Sequence, residues 1–82
     1  MLVFEIRNAL LAVREQLDDG YRLAAEARER IEESIAMFTE LGRAHPESLL
    51  PPELGRAHEQ ITEARARIAA AAEAVDRYAA LL

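Results

Sequence analysis

The chain has 82 residues, 51% of them hydrophobic and 30% charged, with 5% aromatic, no cysteine and a formal net charge of −5. Without cysteine there is no disulfide and no thiolate metal site, and the acidic balance argues against nucleic acid and anionic membrane surfaces, which call for a basic patch. A chain this short forms one domain at most, and about 60% burial of its unfolded surface is the most a compact fold of that size reaches.

Alanine, arginine, glutamate and leucine dominate, the composition of long helices and coiled coils. The opening Met1-Leu2-Val3-Phe4-Glu5 has no basic leader ahead of an uninterrupted apolar stretch, so a cleaved signal peptide is not expected. No apolar run approaches the roughly 18–20 residues that span a bilayer. These features together predict a cytoplasmic location.

Hydrophobic period carries the fold reading. In the first half one series recurs every seven residues: Val3, Leu10, Leu17, Ala24, Ile31, Phe38. A second lies three residues further on: Ile6, Val13, Gly20, Ala27, Ser34, Leu41. These are the a and d positions of an unbroken heptad pattern. They predict one helix over about 2–42, about 60 Å long at about 1.5 Å per residue. Asp18-Asp19-Gly20 has the makings of a turn, but the heptad phase passes through it without a slip, so the helix is read as continuous. Gly42 is placed as a left-handed C-terminal cap.

The stretch 43–52 holds all three prolines, which forbid a regular helix. Pro51 or Pro52 suits the first turn of the next helix, where a missing N–H is harmless. That second helix is predicted over about 53–80, running out toward residue 82. Its large series is Leu54, Ile61, Ile68, Val75, Leu82, and its second series is Ala57, Ala64, Ala71, Tyr78.

Folded at the proline loop with Leu41 opposite Leu54, the two series face large against small at nearly every layer. Phe38 meets Ala57, Ser34 meets Ile61, Ala27 meets Ile68 and Gly20 meets Val75, while Leu17 meets Tyr78. Such alternation suits close packing without voids. The predicted fold is therefore all-α, an antiparallel two-helix hairpin in a single domain, assembling into a four-helix bundle or longer coiled coil.

In that alignment Val13 lies opposite Leu82 and the first twelve residues overhang. Leu2, Val3, Phe4, Ile6, Leu10, Leu11 and Val13 are therefore the predicted partner-binding residues, since exposed contiguous apolar surface marks an association site. Leu23, Ile35, Met37, Ala72, Ala74 and Leu81 fall outside the strict seam and add apolar flanks. The predicted partners are protein helices, from a second copy in a homodimer or from a heteromeric partner. Residues 2–13 are amphipathic, but Glu5 and Glu15 offset Arg7 and Arg14, which favours a protein over a membrane interface.

No catalytic constellation is visible. The pairs Asp18-Asp19 and Glu32-Glu33 are neighbours in sequence rather than on one helix face, and general acid–base work needs carboxylates in a partly desolvated recess. Ser34 and Ser48 have no positioned base. His45 and His58 lack metal-ligand spacing. No enzyme activity, cofactor or metal is predicted. Glu26–Arg30, Arg28–Glu32, Glu63–Arg67 and Glu73–Arg77 stand at i,i+4 spacing and read as solvated pairs.

Three segments carry a family resemblance: the helix from Ile6 to Leu41, the turn His45-Pro46-Glu47, and the tail Tyr78-Ala79-Ala80-Leu81-Leu82. Through them the chain resembles the helical hairpins of actinobacterial small proteins and of the N-termini of polymorphic toxins. It is also similar in shape to the WXG100 proteins exported by type VII secretion. The resemblance implies export, or pairing with a toxin partner, as an alternative to a purely structural module; a small antitoxin or immunity protein is a third, weaker class. The turn has no Trp-x-Gly, and Leu82 stands where that export family's tail signal has an acid.

Overall fold

The structure, a computed structural model, describes residues 2–82. It is a hairpin of two helices, α1 (Val3–Leu41) and α2 (Pro52–Ala80), with a short 3₁₀ turn at Gly42–Ala44 after α1. The molecule measures 65 × 14 × 14 Å, the footprint of two helices side by side. Among the described residues there is no strand.

α1 runs for 39 residues through Asp18-Asp19-Gly20 without a break. Asp19 and Asp18 are held on the helix by Arg22 and Arg14, one turn further and one turn back. Gly20 sits on the inner side, where a Cβ would come within 3.9 Å of Ile68 Cδ1. That is ordinary van der Waals contact, so nothing in the packing demands glycine there. Gly55 has open space around its Cβ position. Gly20→Ala and Gly55→Ala should therefore each stabilise the protein by about 0.5–1 kcal/mol, the helix-propensity difference. Urea denaturation of the two variants checks this, and a loss of stability at Gly20 would mean that the helices lie closer than this register allows.

Gly42 does not take the left-handed cap conformation predicted for it. Its φ is −81° and ψ −7°, and its N–H bonds to the carbonyls of Phe38 and Glu40. The helix tightens into the 3₁₀ turn instead, which satisfies its last carbonyls without a positive φ. The chain becomes extended at His45 and turns back along the end of α1, bringing the Leu49 backbone within 3.7 Å of the Gly42 Cβ position. The Ser48 hydroxyl accepts from the Leu50 N–H at 3.2 Å. Leu50 is half-buried, while Leu49 stays exposed. α2 then starts with Pro52 in its first turn, where the missing N–H costs nothing.

This returning loop changes the register. The helices do not pair Leu41 with Leu54. Gly20 faces Ile68, not Val75, a shift of one heptad. The Arg14–Asp76 and Glu32–His58 pairs fix the same alignment at two further points. Because residues 45–51 descend beside α1 before α2 begins, α2 reaches closer to the start of α1. The twelve-residue overhang largely disappears as a result. Ile6 and Leu10 are half-buried, and Leu10 lies with Val75 and Ala79 across the hairpin.

The seam also drifts along α2. Ala57 and Ala64 are half-buried, but further on Ala72 replaces Ala71 and Ala79 replaces Tyr78 on the inner side. Ala71 and Tyr78 are exposed, as are Val13 and Leu41 of the second series in α1. A straight helix has 3.6 residues per turn, so a strict seven-residue repeat rotates by about 20° per heptad. Ala72 and Ile35, placed on the flanks by the repeat, are accordingly buried and half-buried.

The resulting core is thin. Only Ala24, at 7% exposure, and Ala72, at 5%, are buried, and no large side chain among the described residues is fully enclosed. Leu17, Ile31, Phe38, Ile61, Ile68 and Val75 are half-buried along the seam. The hairpin exposes 6381 Å². A compact monomer of 9.2 kDa exposes about 4,900 Å² by the usual size scaling.

Candidate interaction surface

The two sides of the hairpin differ in chemistry. One side carries every inter-helix polar contact among the described residues. Arg14 Nε donates to both carboxylate oxygens of Asp76, at 3.0 and 3.2 Å, and its Nη1 reaches Asp18. The Arg65 guanidinium lies 4.5 Å from the centre of the Tyr21 ring, a cation–π contact. His58 Nε2 stands 3.9 Å from Glu32, which also receives Arg28 at 3.6 Å. These groups are largely solvated, and such surface pairs contribute about 0.2–1 kcal/mol each. Their larger effect is on register, since each clamps one level of α1 to one level of α2.

Within each helix the charges pair by proximity. Arg28–Glu32 and Glu63–Arg67 form at the expected spacing, both at 3.6 Å. Glu26 pairs with Arg22 instead of Arg30, at 3.3 Å. No Glu73–Arg77 pair forms.

Shallow recesses punctuate the ion-paired side. One, of about 210 Å³, is lined by Arg7, Leu10, Leu11, Arg14, Val75, Asp76 and Ala79. Another, of about 190 Å³, lies among Tyr21, Arg28, Thr62, Arg65, Ala66 and Ala69. The Nε atoms of Arg28 and Arg65 are buried there without a hydrogen-bond partner. Both guanidinium groups are otherwise engaged, Arg28 by Glu32 and Arg65 by the Tyr21 face. Among the described residues no three metal-ligating side chains cluster, and no helix is long and apolar enough to cross a membrane.

The opposite side is lined, by helical periodicity, at every third or fourth position. On α1 it carries Ala9, Val13, Gln16, Leu23, Ala27, Arg30, Ser34, Met37 and Leu41. On α2 it carries Ala57, Gln60, Ala64, Arg67, Ala71 and Tyr78. No inter-helix ion pair among the described residues lies there. The Ser34 hydroxyl donates to the Arg30 carbonyl at 3.0 Å, so it asks nothing of a neighbour.

The seven residues predicted to bind a partner are divided among three environments. Ile6 and Leu10 lie on the intrachain seam. Phe4, at 72% exposure, and Leu11, at 64%, flank the ion-paired side, Leu11 beside the first recess. Val13 is exposed on the opposite side, and Leu2 and Val3 are exposed at the helix start. Leu23 and Met37, on the flanks of the strict heptad seam, share one side with Val13, Leu41 and Tyr78. Reading 3.6-residue periodicity outward from Ala24 and Ala72, instead of the strict heptad, recovers that grouping. Compared with family models, curated proteins and solved structures, the chain matches none.

Proposed function

We propose that this protein is a non-enzymatic helical interaction module, a hairpin that self-associates or docks the helices of a protein partner. One observation carries the reading. Twelve large apolar side chains are exposed among the described residues, while only two alanines are buried. Apolar area removed from water is the main favourable term in folding, at about 25 cal/mol per Å². A hairpin that leaves this much uncovered is half of a larger packed unit.

The secretion-linked reading shares the hairpin and differs in the partner. Its support is the resemblance in the turn and tail segments, and a secretion or toxin gene beside this one would favour it.

Sedimentation equilibrium tests the proposal. The expected result is a concentration-dependent mass above 9.2 kDa, tending to an integral multiple. A well-folded, helical species that stays at 9.2 kDa up to high micromolar concentration would overturn self-association.

A further inference from the structure

We infer that the side without inter-helix ion pairs is the contact face for a second, antiparallel copy of this chain, with the two-fold axis near Leu23. This rests on the association proposed above and names the partner and its orientation.

The seam geometry carries the first part. In a square four-helix bundle each helix touches two neighbours, in directions about 90° apart. On α1, Leu23 lies roughly 90° around the helix from the intrachain seam, at about 100° per residue. The second heptad series falls between these two directions. Val13, Leu41, Ala71 and Tyr78 are exposed in the lone hairpin for that reason. A strict seven-residue repeat that a two-helix contact leaves half uncovered is the repeat of a four-helix core.

Area carries the second. The hairpin exposes roughly 1,400–1,500 Å² more than a compact chain of its mass. Covering that excess on two copies takes about 2,900 Å², within the range of obligate homodimers, about 2,000–5,000 Å².

Orientation follows from the order of side chains along the face. The large ones fall in three groups: Val13 and Tyr78 near the chain ends, Leu23 at mid-length, and Met37 with Leu41 near the loop. A two-fold perpendicular to the long axis at Leu23 sets Leu23 against itself and α1 against α1. Met37 then meets the Ala9–Val13 level of the second copy. The same operation brings Arg30, which forms no ion pair among the described residues, within a helical turn of Asp19 of the second copy. It also sets the Glu63–Arg67 pair head to tail with its counterpart. A two-fold along the long axis would instead place Leu23 on Arg67 and leave Met37 and Leu41 facing the proline loop. The antiparallel arrangement is the one that sets the mid-length Leu23 against its own copy and Met37 beside Val13.

The absence of native cysteine makes single-thiol variants clean probes. Leu23→Cys, Met37→Cys and a mixture of Ala9→Cys with Met37→Cys chains are treated with a short thiol–thiol cross-linker, after circular dichroism confirms helicity. The antiparallel copy predicts that Leu23→Cys is captured at twice 9.2 kDa. Met37→Cys alone is not, its two thiols standing about 40 Å apart. The Ala9→Cys and Met37→Cys mixture is captured. If the wild type sediments as a dimer but Leu23→Cys stays unlinked, the face or orientation is wrong while association stands. Self-linking of Met37→Cys likewise overturns the orientation. A wild type that is folded and monomeric overturns the association itself.

Discussion

Ala72→Leu should destabilise the protein by about 1–3 kcal/mol, whereas Ala70→Leu, two residues away, should change stability by less than about 0.5 kcal/mol. Ala72 is one of two buried side chains among the described residues, at 5% exposure on the inner side of α2. Three extra carbons at that point push the helices apart over neighbouring layers, because a packed contact has no slack for added volume. Ala70 is exposed, so the same change there meets solvent. Both substitutions keep good helix formers, which removes propensity from the comparison. Urea midpoints of the two variants measure the contrast directly. Equal effects would mean that the seam does not pass through Ala72.

Ile68→Asp should abolish the fold. Ile68 is half-buried at mid-seam, against the bare Gly20 backbone. Replacing it forfeits half of the roughly 1.5–3 kcal/mol that full burial of such a side chain contributes. It also sets a carboxylate between two helices, where partial desolvation costs a further increment. A single thin core of this length has about 3–5 kcal/mol to lose at most. The expected observation is loss of most helical ellipticity at 25 °C. Ala70→Asp, exposed on the outer surface, should keep it. Retention of full helicity in Ile68→Asp would place Ile68 outside the contact.

These two predictions fall where sequence and structure diverge. The existence and hand-back of two long helices are legible in the heptads, because 3.5-residue spacing sustained over 39 residues has few other readings. The proline cluster marks the turn just as clearly. Register is a different matter. A heptad pattern looks the same after a seven-residue slide, so Gly20 accepts Ile68 as readily as Val75. The choice is made by the loop, whose extended residues double back past Gly42 and move α2 along α1. Nothing in the spacing of Pro46, Pro51 and Pro52 gives that path. The Arg14–Asp76 pair, 62 positions apart in the chain, then holds the chosen register.

The excess of apolar surface is legible in the sequence, and the register decides where it lies. Excess apolar surface follows from composition and from the narrowness of a two-helix seam. Its assignment to residues 2–13 depended on the register, and moved with it: Ile6 and Leu10 turned inward, while Phe4 and Leu11 stayed outside. The exposed members of the second series, Val13, Leu41, Ala71 and Tyr78, follow from the drift between a 3.5-residue repeat and a helix of 3.6 residues per turn.

If another chain completes the hairpin, as proposed, its stability depends on concentration. Thermal unfolding followed by circular dichroism over a hundredfold dilution series tests this most directly. Mass action gives about 2.7 kcal/mol across that range for a folded dimer that unfolds to monomers, which shifts Tm by about 5–10 °C. A transition that stays at one temperature throughout the series, with full helicity below it, would contradict the account.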